Sequence, residues 1–496
     1  MPATPGAGLV TGPVAARAAR SHGSAEWCAL REISRESKRQ RSNTVAEKYL
    51  IETYGCQMNV HDSERMAGLL EQAGFEATDD AADADVIVVN TCSVREHAET
   101  KLYSRLGELR QVGIRRGAQP IVAVTGCVAQ QLGAELFRRS PSVDIVVGTQ
   151  SLKQLPTLVA RKLSAADRAV DPSFVDVRPH DDVSFPLGIA RRRDVLKAYV
   201  NIVEGCNDCC AFCIVPHTRG RERMRPMSEI LADVREAVDS GHREVHLLGQ
   251  IVNHYQAPDD PSCDFAALLE RVHAVPGLQR IRFASPHPRH VSRRLVSVLR
   301  DLPKLCKHIH LPVQSGSTSV LTRMRRRYTR ERYLELVAEL RAEVEDIQLS
   351  TDVIVGFPGE TADDFEQTLS LADAVRYHGM FSFKYSPRPS TLAFTRMPDD
   401  VSEAEKTRRI VELQTLQRAI QLELHQDLVG QAREVLVDSH SKRRDHELSG
   451  RTSGNTVVNI AGSANLFGQL VTVRIVSAGP NSVRGELLVG QPPLTS

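Results

Sequence analysis

Three cysteines, Cys206, Cys210 and Cys213, stand in the string EGCNDCCAFCIVPHTRG. Their C-x3-C-x2-C spacing lets three thiolates hold three irons of a cubane iron–sulfur cluster and leaves the fourth iron without a protein ligand, open to a small molecule. An open iron implies chemistry as well as electron storage. Ferredoxin-type runs add a fourth cysteine for an electron-transfer cluster, and the residues that follow, Ile214 to Gly220, contain none. Cys209 competes for a place, but a register on Cys209 and Cys213 needs a cysteine at 216, where Pro216 stands. The alternative is a zinc knuckle or loose thiols. Zinc usually takes four ligands, commonly in paired C-x2-C units, and no second pair follows at suitable spacing.

A second set is spread more widely. KYLIETY (Lys48 to Tyr54), DVIVVN (Asp85 to Asn90) and PIVAVTG (Pro120 to Gly126) read as buried strands, each followed by a helical pattern. The order βαβαβα implies a parallel sheet. One cysteine follows each strand: Cys56, Cys92 and Cys127. Parallel sheets bind ligands outside the carboxyl ends of their strands, so these loops are expected to converge and hold a second open-site cluster. Taken singly, each cysteine reads more readily as an inert buried residue; the same offset three times argues for convergence.

Further along, six strand candidates alternate with helices: LKAYVNIV (Leu196 to Val203), EVHLLG (Glu244 to Gly249), RIRFAS (Arg280 to Ser285), HIHLPV (His308 to Val313), QLSTDVIVG (Gln348 to Gly356) and MFSFKYS (Met380 to Ser386). Six units fall short of the eight that close a barrel, which predicts an open (βα)6 partial barrel with the cysteine triplet at its carboxyl-end face. The segment after Val429 turns to short strands, REVLVDS, GNTVVNI, LVTVRIVS and SVRGELL, and reads as a small OB-like barrel. The fold class is therefore multidomain α/β with a C-terminal β-barrel. Its expected division is a disordered or targeting tail at 1–47, an α/β domain at 48–163, a linker at 164–190, the partial barrel at 191–427, the β-barrel at 428–490 and a tail at 491–496.

The bulk numbers constrain partners only loosely. Lys plus Arg is 63 against 61 for Asp plus Glu in 496 residues, so a nucleic-acid surface must be a local patch. In the C-terminal barrel seven basic residues (Arg433, Lys442, Arg443, Arg444, Arg451, Arg474, Arg484) exceed five acids, weak support for RNA contact, since a solvated surface looks alike. Ten cysteines are too few for a disulfide scaffold and favour a reducing compartment. No apolar run approaches the ~18 residues needed to cross a bilayer. A soluble, cytoplasmic protein is expected; the Arg- and Ser-containing tail leaves organellar import as the alternative.

The Cys206–Cys213 string resembles the signature of radical S-adenosylmethionine (SAM) enzymes. That resemblance implies SAM chelated to the open iron and cleaved by a cluster electron to a 5′-deoxyadenosyl radical. With GCQMN, NTCSVRE and TGCVAQQ before the triplet and a small β-barrel after it, the chain is similar to the methylthiotransferase family from about Lys48 to Leu488. HLPVQSGS (His310 to Ser317), GFPGET (Gly356 to Thr361) and YSPRPST (Tyr385 to Thr391) match the family's barrel segments. GCQMN with NTCSVRE resembles the branch that acts on N6-dimethylallyladenosine in tRNA. Branches that modify a ribosomal-protein aspartate or threonylcarbamoyl-adenosine stay as alternatives, beside a non-catalytic iron–sulfur RNA-binding protein.

The resemblance implies methylthiolation at C2 of the adenosine on the 3′ side of the anticodon. An aromatic C2–H lies beyond an ordinary side-chain base, which contributes only ~10²- to 10⁴-fold, so a radical route is needed. Cys206, Cys210 and Cys213 would hold the SAM-cleaving [4Fe-4S] cluster. Cys56, Cys92 and Cys127 would hold an auxiliary [4Fe-4S] cluster that carries or donates sulfur, and a second SAM would supply methyl. Phe212 is placed against the SAM adenine, or else in the core. Gly249 and Gln250 are assigned to the SAM amino group, and Ser285, Gln314 and Asp352 are candidates by their place at strand ends. The run RMRRRYTRER, with Arg323, Arg325, Arg326 and Arg327, suits tRNA phosphates or a solvated helix face. His287 in SPHP reads as structural. Expected partners are the tRNA anticodon stem-loop and a low-potential electron donor such as flavodoxin or ferredoxin, with no membrane and a monomeric chain. Cys209, PRPST in place of PRPGT, and SPHP in place of a Thr-led SHP depart from the family pattern without removing a cluster ligand.

Overall fold

The computed structural model describes residues 46–93, 96–164, 171, 174–179, 185–441 and 447–488, the side chains at 96–98 excepted. The tail up to residue 45, Val94 and Arg95 of NTCSVRE, linker residues 165–170, 172–173 and 180–184, the basic Lys442–Arg444 and the tail 491–496 lie outside the described residues.

The first unit is a six-stranded, all-parallel sheet of β1 (Lys48–Tyr54), β2 (Glu76–Ala77), β3 (Val86–Thr91), β4 (Ile121–Gly126), β5 (Ile145–Val147) and β6 (Val175–Asp176), ordered β2-β1-β3-β4-β5-β6. VIVVNT and IVAVTG are buried along their whole length, as central parallel strands covered on both faces must be. The sequence pattern revealed three of the six; the others are two or three residues long, too short for periodicity to register. The segment read as a linker also needs correcting, because β6 lies within it and pairs with β5.

The second unit begins with β7 (Lys197–Asn201) and an antiparallel pair, β8 (Val203–Glu204) with β9 (Arg223–Met224). It continues through β10 (Glu244–Leu248), β11 (Arg280–Phe283), β12 (His308–His310), β13 (Gln348–Val355) and β14 (Gly379–Lys384). The parallel sheets β11-β10-β7 and β12-β13-β14 are joined where Leu305 bridges Ile281. Six parallel strands thus follow one another, with β7 and β14 as the outer strands of an open barrel. Alternate residues such as Val200, Val245, Leu247, Ile281, Leu349 and Val353 point outward into one large core shared with the surrounding helices.

The third unit is a closed barrel of β15 (Ala432–His440), β16 (Glu447–Thr452), β17 (Val457–Ala461), β18 (Leu470–Ala478) and β19 (Val483–Leu487). Val435, Val437, Leu448, Val458, Ile460, Val473 and Ile475 fill its interior. β16, ELSGRT, escaped the sequence reading because its inward positions are Leu448, Gly450 and Thr452, only one of them strongly apolar. This barrel seats on the amino ends of the larger barrel's strands. Arg280 donates to the Arg451 carbonyl at 2.6 Å, Arg282 to the carbonyls of Thr452 at 2.8 Å and Ser453 at 3.2 Å, and Lys197 meets Asp438 at 2.5 Å.

Candidate functional site

The amino-terminal cysteines owe their meeting to strand register. β1, β3 and β4 are neighbours, and Tyr54, Thr91 and Gly126 pair across them. Cys56 caps helix α1 (Gln57–Gln72), Cys92 follows β3 and Cys127 opens helix α3, with α2 (Glu96–Arg116) between β3 and β4 and α3 spanning Cys127–Leu132. Cys92 is linked to each of the other two thiols. That link draws Cys56 and Cys127 below the usual thiol range, while Cys92 holds its proton far above it. Amides brace the loops: Asn59 Oδ1 accepts from the Cys56 backbone at 3.3 Å, Asn59 Nδ2 donates to Asn90 Oδ1 at 3.1 Å, and Asn90 Nδ2 donates to the Asn59 carbonyl at 2.8 Å. Gly126, at φ 88°, lies where a Cβ would overlap Asn90 Oδ1 and the Thr91 carbonyl. Only glycine lets β4 turn into Cys127 this close to Cys92.

The second triplet lies on the loop between β8 and β9. The Cys206 N–H donates to the Gly220 carbonyl at 3.1 Å, the Cys213 N–H to the Cys210 carbonyl at 3.1 Å, and the Ala211 N–H to the Met324 carbonyl at 3.0 Å. Burial pushes the Cys206 and Cys213 thiols up to about 12, and the nearby Cys210 adds to both shifts. The Asp208 N–H points at Cys206 Sγ from 3.4 Å, and Arg326 Nη1 at Cys210 Sγ from 3.4 Å. Three thiols on one loop, with N–H donors aimed at the sulfurs of Cys206 and Cys210, have the chemistry a three-cysteine iron–sulfur cluster needs. Cys209 is exposed and turned toward the Asn207 carbonyl. None of the nine described cysteines is in a disulfide.

Between the triplets runs helix α4 (Val215–Arg219), which begins two residues after Cys213. Its last residue, Arg219, is 2% exposed. It pairs with Asp62 of α1 at 2.6 Å and with Glu204, two residues before Cys206, at 3.4 Å. The same charge favours the thiolate forms of Cys56 and Cys127. Gln150 donates to the Arg219 carbonyl at 2.9 Å and Thr149 to that of Thr218, so the first unit grips α4 from two sides.

The remaining candidates occupy the carboxyl-end loops of the larger barrel. Gly249 presses on Val203, where a Cβ would come within 2.9 Å of the valine Cβ. Beside it, Gln250 Oε1 is buried with no hydrogen-bond partner among the described residues, an acceptor that suits an amino group. Ser285 and Gln314 hold φ of 59° and 72°, left-handed conformations that non-glycine residues adopt chiefly where surroundings impose them. The Gln314 N–H donates to the Asp352 carbonyl at 2.9 Å, and Asp352 Oδ1 lies 3.3 Å from His310 Nε2. Phe212 is half-buried and packs against a cluster that includes Ala211, Met324, Phe357 and Tyr385. His287 is buried, and its backbone exchanges hydrogen bonds with the Asn253 amide at 2.8 and 3.0 Å.

The arginine run requires a correction. Arg326 is 6% exposed and turned inward onto Cys210, and Arg323 is tied to Asp364 at 3.3 Å and the Gly359 carbonyl at 2.9 Å. Only Arg325 and Arg327 of the four are exposed. Sequence reasoning missed the inward role of Arg326, and also Asn59, Asn90, Arg219 and His310. Asn59 and Asn90 were within sight, since each lies in a string that also carries a cysteine.

Comparison with known proteins adds three family matches: the uncharacterized protein family UPF0004 over residues 48–148, the Radical SAM superfamily over 200–372, and the TRAM domain over 426–488. The tRNA-2-methylthio-N(6)-dimethylallyladenosine synthase of Geobacter metallireducens is 48% identical over 448 residues, covering 90% of this chain and 100% of the relative. That of Thermoanaerobacter sp. is 41% identical over 92% of this chain and 95% of its own. Among solved structures, the radical S-adenosylmethionine methyltransferase TsrM from Kitasatospora setae, with cobalamin and a [4Fe-4S] cluster bound, superposes with a TM-score of 0.52. The match has 16% identity and covers 71% of this chain and 77% of that one, a likeness of fold.

Proposed function

Because the chain belongs to the tRNA-2-methylthio-N(6)-dimethylallyladenosine synthase family, we propose a division of its reaction between its two cysteine triplets. The protein is a radical SAM methylthiotransferase, which modifies tRNA by placing methylthio at C2 of N6-dimethylallyladenosine. Iron–sulfur and SAM chemistry come with that family. Cys206, Cys210 and Cys213 hold the SAM-binding [4Fe-4S] cluster, and Cys56, Cys92 and Cys127 hold an auxiliary one. When bound, the first supplies the electron that cleaves SAM to a 5′-deoxyadenosyl radical and the second supplies the sulfur.

The chain's own residues supply orientation and exclusion of water. Gln250 Oε1 would accept from the SAM amino group, Gly249, packed on Val203, would set the backbone beside it, and Ser285, Gln314 and Asp352 would line the carboxyl-end rim. Phe212 sits on the adenine side. Arg219 ties the unit of one triplet to that of the other, and the Asn59–Asn90 amide pair braces the amino-terminal triplet. The first unit, which extends through β6, serves sulfur, the larger barrel SAM and the small barrel RNA. The anticodon stem-loop is the substrate element, and a ferredoxin- or flavodoxin-class protein is the electron donor.

The observation that carries this reading is the convergence of Cys56, Cys92 and Cys127 on one row, beside a helix that leaves the other triplet. Mössbauer spectra and iron content of anaerobically purified protein are expected to give two cubanes; capacity for one alone refutes the division. Cys210→Ala is expected to abolish 5′-deoxyadenosine formation from SAM. Cys92→Ala is expected to keep that cleavage and lose methylthiolation of prenylated tRNA, and equal loss of cleavage in both variants contradicts the separation of roles.

A further inference from the structure

Arg326 is a buried cation whose hydrogen-bond partners include no carboxylate. Nη1 donates to Cys210 Sγ at 3.4 Å, Nη2 to the Pro312 carbonyl at 3.0 Å, and Nε to Tyr328 Oη at 3.1 Å. Tyr328 is itself anchored on the carbonyls of Pro312 and Val313, at 3.2 and 2.9 Å. Among the described residues no Asp or Glu forms an ion pair with Arg326. The backbone on either side is bent to this end: Arg325 and Arg327 hold φ of 59° and 60°, and both side chains are exposed while the one between them is driven inward. Two left-handed residues one position apart, both bearing side chains, cost free energy and persist only where surrounding contacts over-determine them.

A guanidinium stays charged at any working pH, and burying one without an anion is unfavourable. Of its partners, the Cys210 sulfur is the one that would carry negative charge as an iron ligand. Hydrogen bonds to cluster sulfurs and nearby charge set the potential of an iron–sulfur centre, and a fixed cation favours whichever redox state carries more negative charge.

We propose that Arg326 is a positioning residue that sets the reduction potential of the centre held by Cys206, Cys210 and Cys213, raising it so that a low-potential donor protein can deliver the single electron. This rests on the reading that the triplet holds a cluster. The sequence gives Arg326 no distinction from its neighbours; the inward turn singles it out.

The test compares anaerobically prepared full-length protein with Arg326→Gln and Arg326→Lys, by iron content and EPR-monitored redox titration, following the signal that responds to added SAM. A wild-type protein whose triplet takes up no iron removes the underlying reading, whatever Arg326 does. With iron bound, Arg326→Gln is expected to lower the reduced-to-oxidised ratio at fixed potential at least tenfold, about 59 mV for one electron, and Arg326→Lys to lie between it and wild type. An iron-loaded Arg326→Gln with an unchanged midpoint overturns the proposal. If that variant fails to hold iron, wild-type protein labelled with 15N-arginine decides: pulsed EPR of the reduced state is expected to show a guanidinium nitrogen coupled to the spin, and its absence overturns the proposal.

Discussion

At Arg219 a single buried guanidinium answers two carboxylates drawn from different units, Asp62 and Glu204. Removing one member of a buried ion pair leaves the others desolvated and unmatched, at a cost of about 3–5 kcal/mol. Arg219→Met is therefore expected to lower the unfolding free energy from urea titration by an amount of that order; a change below about 1 kcal/mol would mean that water already reaches the carboxylates. Sequence pattern singled out the six cysteines proposed to hold the clusters, because that reading lies in spacing alone. It gave no notice of Arg219 or of the inward turn of Arg326. Their significance depends on which residues from distant segments lie opposite them, and nothing in PHTRG or RMRRRY encodes that.

The loops after β1, β3 and β4 work as one element because their strands are in register. Gly126 is where this is tightest. Gly126→Ala forces a positive φ on alanine and a clash with Asn90 and Thr91, strain of roughly 1–3 kcal/mol that lands on the spacing of Cys92 and Cys127. Iron retention at the amino-terminal triplet is expected to fall while the radical-generating triplet keeps its iron. Gly74→Ala is the control: φ is 98° there too, but an added Cβ meets nothing within 4 Å, so the protein should lose some stability and no iron. Central strands were legible as unbroken apolar runs. β6 and β16 were not, the first for its two residues and the second for its polar composition; their pairing is supplied by neighbours already in place.

For the molecule as a whole, the contact between the two barrels is polar and specific. Arg280 and Arg282 reach three consecutive carbonyls, Arg451 to Ser453, and Lys307 donates its backbone N–H to Ser453 Oγ at 2.8 Å. Arg282 also pairs with Glu244 at 3.2 Å, so the double variant Arg280→Ala with Arg282→Ala exposes a buried acid as well as freeing carbonyls. Hydrogen exchange is expected to accelerate at least tenfold at Thr452 to Thr456, with β3 and β4 unaffected; unchanged exchange there would place the grip elsewhere. The small barrel holds the amino ends of the strands, while the thiols gather at the opposite ends. With about 3.3 Å per residue, the eight residues of β13 separate those ends by roughly 26 Å. Any nucleic acid that touches both at once must bridge that gap along the flank, so a fragment shorter than the span can reach only one end.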